Sequence, residues 1–281
     1  MKIAYLGPEG SYSHLAATEF LKESATPLFG VNECVPFRNA TEVFAAVQAG
    51  RVDCAVIPIE NSLQGGVLQN LDLLQDSENL YAVAERILKI DHRLVYKEDV
   101  KLSEIGRVYS HRQALGQCAN FISQKMPFAA LKETESTAFG LVKATDDLSG
   151  KSAAIVGSHT QHIRAGFVMS EECISDEKNN FTHFLLLKKG EEYLPQKTDR
   201  IFFSTVCPHS PGSLMELLSV IKKYNVNMTK IESRPVKNRP GEYRFFIEAD
   251  CNLADTEVQE MLNQIRQNTL ECKLLGGYCH G

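Results

Sequence analysis

An α/β fold closed by a split β-α-β-β-α-β unit is predicted by three observations. Over the first 190 residues, short apolar runs of strand length alternate with segments whose apolar residues recur at helical spacing. Residues 190–200 are polar and charged and carry Pro195, as a linker does. Beyond them the order becomes strand, helix, strand, strand, helix, strand, which is the ferredoxin-like unit. Alternation of strand and helix in the first part points to a largely parallel sheet. The expected division is 1–190, a linker at 191–199, and 200–281.

The elements follow in order. Residues 2–6, 54–59, 107–109, 129–132 and 153–156 are strand candidates. In 11–21 the apolar positions Tyr12, Leu15, Ala16 and Phe20 share one helical face, and in 41–49 so do Val43, Ala46 and Val47, with Gly50 as the stop. The run 80–96 is long and strand-like, and by analogy with two-lobed folds a hinge is expected within 77–97. In the last part, 201–206, 228–233, 242–249 and 273–278 are strands, 213–224 and 255–268 are helices, and a turn lies at 238–241.

Bulk properties exclude several classes. The 281 residues carry 30 Lys and Arg against 35 Asp and Glu, for a formal charge of −5, with the signs interspersed. No basic stripe is present, so no nucleic acid is expected as a partner. No apolar run reaches the roughly 20 residues that cross a bilayer. The N-terminal residues lack the length and cleavage site of a signal peptide. A cytoplasmic protein without membrane contact is expected. Its eight cysteines, with no Cys-x-x-Cys pair, are expected to be free thiols. His159 and His162 form the one close histidine pair, read here as a helix start; no metal and no cofactor are expected.

The candidate chemistry sits where strands end and small polar residues follow: Gly10-Ser11-Tyr12-Ser13, Glu60-Asn61-Ser62, Ser110-His111, Ser136-Thr137 and Gly157-Ser158. Such junctions offer unpaired N–H groups and the positive end of a helix dipole, and anions bind there. Each alone reads as ordinary N-capping; five together point to a cleft for a small molecule bearing carboxylates. Gly65-Gly66 suggests a close backbone approach or a positive φ. Residues 180–184, Asn-Phe-Thr-His-Phe, place a hydroxyl and an imidazole at the start of the apolar run 184–187.

These segments resemble the motifs of prephenate dehydratases, in family order: Gly7-Pro8-Glu9-Gly10-Ser11-Tyr12-Ser13, Pro58-Ile59-Glu60-Asn61-Ser62, the segment 110–118 beginning Ser110-His111-Arg112-Gln113, Glu135-Ser136-Thr137-Ala138, and Asn180-Phe181-Thr182-His183-Phe184. Two positions depart from the pattern: Arg112 replaces a proline, and His183 stands where the family has arginine. The resemblance implies a two-lobed catalytic domain like that of periplasmic binding proteins, and decarboxylating dehydration of prephenate to phenylpyruvate without a cofactor.

It implies Thr182 as donor to the departing hydroxyl, with Glu60 and His111 orienting the network. Ser11, Asn61, Ser62, Ser110, Gln113, Ser136, Thr137, His183 and Phe184 would hold substrate. Glu60 and His111 read equally as satisfied structural groups, and Phe184 reads first as packing. Thr182 and His183 point to opposite faces of a strand, so residue 183 supports the site from behind, and Arg112 would supply part of the missing charge. The last unit resembles an ACT regulatory domain. Pro211, Gly212, Ser213 and Leu214, with Asn227, Met228, Glu232, Ser233 and Arg234, are the implied phenylalanine-binding residues, and pairing of ACT domains implies a homodimer or homotetramer. Alternatives are an arogenate dehydratase, a prephenate decarboxylase that does not aromatise the ring, and a non-catalytic sensor of small acids.

Overall fold

The computed structural model describes residues 1–23, 33–161, 163–191, 194–237 and 239–280. The chain first builds β1 (Lys2–Leu6), α1 (Tyr12–Glu23), β2 (Glu33–Phe37), α2 (Ala40–Gln48), β3 (Cys54–Asn61), β4 (Gly65–Gly66), α3 (Leu68–Asp76) and β5 (Leu80–Lys89). It then crosses at Ile90-Asp91 into a second lobe. That lobe holds β6 (His92–Lys97), β7 (Arg107–His111), α4 (Arg112–Gln117), α5 (Ala119–Lys125), β8 (Ala130–Thr134), α6 (Thr137–Thr145), β9 (Ser152–Gly157) and β10 (Phe167–Met169). It returns through β11 (Phe181–Lys189) and closes with β12 (Arg200–Val206), α7 (Ser213–Lys223), β13 (Asn227–Pro235), β14 (Tyr243–Asp250), α8 (Thr256–Asn268) and β15 (Glu271–Tyr278).

Both sheets are mixed, where the alternation had suggested mostly parallel ones. Among the described residues, parallel pairing is confined to β1 with β2 and β3, β7 with β8 and β9, and the short β15–β5 contact. The cause is the double crossing. A strand returning from the second lobe must run against those that left, and β11 inserts antiparallel between β3 and β5. The single apolar run of 80–96 is in fact two strands in two sheets, split at Ile90-Asp91. After β9 a turn leads to β10, so no helix begins at Gly157-Ser158.

The ten-stranded sheet runs β13-β14-β12-β15-β5-β11-β3-β1-β2 with β4 beside β3, so the C-terminal strands continue the first lobe's sheet. Helix α2 buries Val43, Phe44, Ala46 and Val47 on that sheet. Its N-terminus is closed reciprocally: Asn39 Oδ1 accepts from Glu42 N–H at 2.9 Å, and the Glu42 carboxylate accepts from Asn39 Nδ2 and Arg38 N–H. Phe202, Phe246, Leu275 and Tyr278 of the C-terminal unit share one core with Leu71, Leu74 and Leu80. Burying side chains of this size contributes about 1.5–3 kcal/mol each, so this shared core anchors the unit.

Backbones approach closely where Gly276 pairs with Ala82; a Cβ at 276 would lie 2.4 Å from the Ala82 carbonyl oxygen. The two lobes are tied by Tyr12, whose hydroxyl donates to Asp91 O at 2.6 Å and accepts from Asp91 N–H at 2.9 Å. His159 Nε2, 3.0 Å from Gly10 O, makes a second tie. Among the described residues, no helix is long and apolar enough to cross a membrane.

Candidate active site

A cleft of about 350 Å³ lies between the lobes, within the roughly 300–1,000 Å³ typical of small-molecule sites. It collects Ser11, Asn61, His111, Gln113, Ser136, Thr137, Thr182 and Phe184 from five separate segments. Strand alternation explains Thr182 and Phe184: two residues apart on β11, they face the same side. A register shift between His183 and Phe184 lets both Pro58 and Asn61 of β3 reach that side.

Thr182 is held by one partner of fixed orientation. Asn61 Oδ1 accepts from the N–H groups of Leu63 and Gln64 at 3.1 and 3.2 Å. The other end of the amide is therefore its donor end. That Nδ2 lies 2.9 Å from Thr182 Oγ1, 2.7 Å from Asn180 Oδ1 and 3.1 Å from Phe181 O. Thr182 thus accepts from Asn61, which leaves its own proton to donate into the cleft.

The network extends beyond what the motifs contained. Asn180 Nδ2 donates to Gln117 Oε1 at 3.4 Å, and His92 Nε2 lies 2.9 Å from the same oxygen. With Gln117 Oε1 as acceptor, His92 carries its proton on Nε2. Burial pushes the His92 imidazole below its ordinary pKa, against the opposing effect of the Gln117 bond. Tyr12 also lines the cleft, its phenol pushed up to about 12 by burial. His92 was hidden in the sequence because it sits inside an apolar run with no motif around it. Its one signal is a histidine at the start of the second strand of that run.

The helix starts serve both readings at once. Ser136 Oγ caps α6 by accepting from Phe139 N–H at 3.0 Å, and Ser11 Oγ accepts from His14 N–H at 3.2 Å near the start of α1. His111 Nδ1 accepts from Gln113 N–H at 3.3 Å, a tautomer with the proton on Nε2. The residues that cap the helices also line the cleft. Glu135 lines it too, and no lysine or arginine does among the described residues.

Three expected substrate contacts, Ser62, Ser110 and His183, and the expected catalytic residue Glu60 lie elsewhere. Ser110 is fully buried, donating to Ile155 O at 2.7 Å from the interior of β7. Ser62 accepts from Phe181 N–H at 2.9 Å and donates to Asn179 O, stitching the β3 end to β11. Glu60 points off the cleft and pairs with Lys230 Nζ. His183, on the back of β11, puts Nε2 2.7 Å from Glu85 Oε2, off the line of a formed hydrogen bond.

Arg112 is 85% exposed and 3.9 Å from Glu133, so it brings no charge to the cleft. The buried Glu85 is pushed up by desolvation, but His183, Arg200 and His280 outweigh this and hold it below the usual carboxylate range. Glu85, His183 and Glu248 place potential ligand atoms within 4.8 Å of one another, yet Arg200 already answers Glu85, and Tyr278 donates to Glu248. His159 contacts Gly10 instead of starting a helix, and its proposed partner His162 lies outside the described residues.

The C-terminal candidates divide. Pro211, Ser213 and Leu214 line a cavity of about 440 Å³ with Cys207, His209, Tyr243 and Phe245. Gly212, at φ +89, turns the chain into α7. Met228 packs into the core beneath α7 and α8, Asn227 donates to Asp250, and Ser233 is exposed. Glu232 and Arg234 face the first lobe instead: Glu232 Oε2 lies against Gly66, and Arg234 Nη2 is 2.5 Å from Asp72 Oδ2.

Comparison with known proteins shows the family. The family model for prephenate dehydratase matches residues 3–192. The bifunctional chorismate mutase/prephenate dehydratase of Escherichia coli (strain K12) is 34% identical over 281 residues, spanning 99% of this chain and 70% of that protein. The crystal structure of prephenate dehydratase from Arthrobacter aurescens, in complex with L-Phe, superimposes with a TM-score of 0.84 at 29% identity, covering 100% of this chain and 90% of that one. The Staphylococcus aureus enzyme gives 0.82 at 29% identity, covering 99% and 100%. The chain belongs to the prephenate dehydratase family, hydro-lyases of phenylalanine biosynthesis.

Proposed function

We propose that prephenate binds between the lobes and leaves as phenylpyruvate, carbon dioxide and water, with Thr182 as the donor to the departing oxygen. The ring carbon–carboxylate bond breaks and its electron pair enters the ring. The carbon–oxygen bond at the opposite ring carbon breaks in turn, and the leaving hydroxide takes up one proton to become water. A threonine is too weak an acid to be the ultimate source, so its hydroxyl stabilises the departing oxygen while the proton comes from solvent. The observation that carries this reading is the Asn61 amide, which occupies Thr182 Oγ1 as acceptor and turns the hydroxyl proton outward.

The two carboxylates fit the remaining donors. The start of α1, Ser136 and Thr137 at the start of α6, and the His111 and Gln113 side chains supply N–H and O–H groups from several directions, while Ser11 lines the cleft with its hydroxyl donated to Leu6 O. Leu6, Val67, Ile90 and Phe184 give the ring an apolar wall. Positioning and preoriented donors are then the source of the rate. Thr182→Ala should lower kcat by about 10²-fold or more while prephenate still binds by calorimetry; unchanged turnover would sink the assignment.

One observation favours arogenate as a second substrate. Arogenate carries an ammonium where prephenate has a keto oxygen, and Glu135 is an acidic group in a cleft lined by no lysine or arginine among the described residues. Measuring kcat/KM for both compounds decides the order, and Glu135→Gln should lower the arogenate value selectively. For regulation, the cavity at the start of α7 suits phenylalanine, with Tyr243 and Phe245 for the ring and helix N–H groups for the carboxylate. The C-terminal unit then acts as an ACT domain, and chains pair through it in a cytoplasmic homodimer or homotetramer.

A further inference from the structure

The rung of the sheet that faces the cleft has a neighbour that faces away. Where β11 pairs with β3, Thr182 lies opposite Asn61 and His183 lies opposite Glu60. Side chains alternate between faces along a strand, so the Thr182–Asn61 rung presents the chemistry and the His183–Glu60 rung presents its back. Both back side chains are connected to the C-terminal unit. Glu60 pairs directly with Lys230 of β13, whose side chain is only 7% exposed. His183 meets Glu85, a fully buried carboxylate that also receives Arg200 Nη1 at 3.2 Å and contacts His280 Nδ1.

The grip is built by strand periodicity. Lys230, Glu232 and Arg234 share one face of β13, and they meet β3, β4 and α3 in turn: Glu60, Gly66 and Asp72. At the other end, lifting Arg200 away would leave Glu85 buried beside histidines alone, and an unpaired buried charge is strongly disfavoured. Neither grip touches the cleft, and the reaction described above uses none of these groups.

We propose that the His183–Glu60 rung couples the C-terminal unit to the chemistry. Lys230, acting through Glu60, and Arg200, acting through Glu85 and His183, are positioning residues that fix the Thr182–Asn61 rung from behind. How the C-terminal unit seats on the first lobe then sets kcat more than it sets substrate affinity. The kinetic part of this inference rests on Thr182 being the donor; the mechanical part does not.

The test compares full-length wild type with Lys230→Met, Lys230→Arg and Glu60→Gln, the last isosteric on a side chain already 41% exposed. Two quantities are read: prephenate kinetics, and amide hydrogen exchange in peptides covering 57–62 and 180–186. Lys230→Met and Glu60→Gln should each lower kcat by about 10-fold, with KM changed by less than about 2-fold, and should speed exchange in both peptides. Lys230→Arg should restore both readouts, and the Met and Gln effects should not add in the double variant. Unchanged exchange in Lys230→Met and Glu60→Gln overturns the coupling, as does a loss carried by KM alone. Absence of turnover in wild type would remove the dehydratase reading by itself, while the exchange measurement still decides whether the grip holds the rung.

Discussion

At the scale of single residues, the proposed site rests on which atom donates. Asn61 is committed by two backbone N–H groups on its oxygen, so its amide nitrogen is the end that meets Thr182. Asn61→Asp would replace that donor with an acceptor, and Thr182 would then spend its proton on the carboxylate. A kcat loss of about 10²-fold is expected, with KM moving far less; steady-state kinetics checks it.

His92 and His159 make a separate prediction about pH. Burial holds both imidazoles below their ordinary value of 6.5. The unfolded chain therefore binds protons near that pH that the folded chain refuses, and stability is lost as pH falls below it. Thermal melts between pH 7.5 and 5.5 should show the midpoint dropping, and His92→Gln should make that drop shallower without abolishing it, because His159 remains. Glu85 adds a lower window: its depressed pKa gives stability that is present above 4.5 and lost as pH falls through the folded value.

At the scale of elements, what the sequence reveals is local. The helix starts at Ser11 and Ser136, the strand ending at Asn61 and the six C-terminal elements are legible because caps, periodicity and turns are written within a few residues. Strand β2 is not legible: it carries Pro36, which a central strand excludes, and it proves to be an edge strand where proline is tolerated. The off-cleft positions of Glu60, Ser62 and Ser110 were equally hidden, whereas strand alternation already placed His183 behind Thr182. Which face of a strand becomes the cleft depends on pairings with segments far away in the chain, and Lys230 lies 170 positions from Glu60. The same logic singles out the seam between β5 and β15. Gly276→Ala puts a Cβ 2.4 Å from Ala82 O, with backbone on both sides, so the strands must part. A loss of about 1–3 kcal/mol is expected, seen as a lower urea midpoint, together with a weakened phenylalanine response.

At the scale of the whole molecule, two crossings near 90–91 and 170–180 make the lobes, and one continuous sheet fuses the first lobe to the C-terminal unit. The candidate cleft lies between lobes that are tied by Tyr12 and His159, whereas the proposed effector cavity lies in the fused unit. On this proposal a ligand there would act on the cleft through the sheet and through the β13 face. Phenylalanine should therefore change kcat in a saturable way, and Ser213→Trp, which fills the cavity at the start of α7, should remove that response and spare basal turnover. A response undiminished in that variant would place the effector elsewhere.

The most direct test of the account is turnover of prephenate by the purified chain, with the products identified and counted. The account predicts one phenylpyruvate and one carbon dioxide per prephenate consumed, both lost in Thr182→Ala. Prephenate bound but unchanged, or converted to a non-aromatic product, would contradict it.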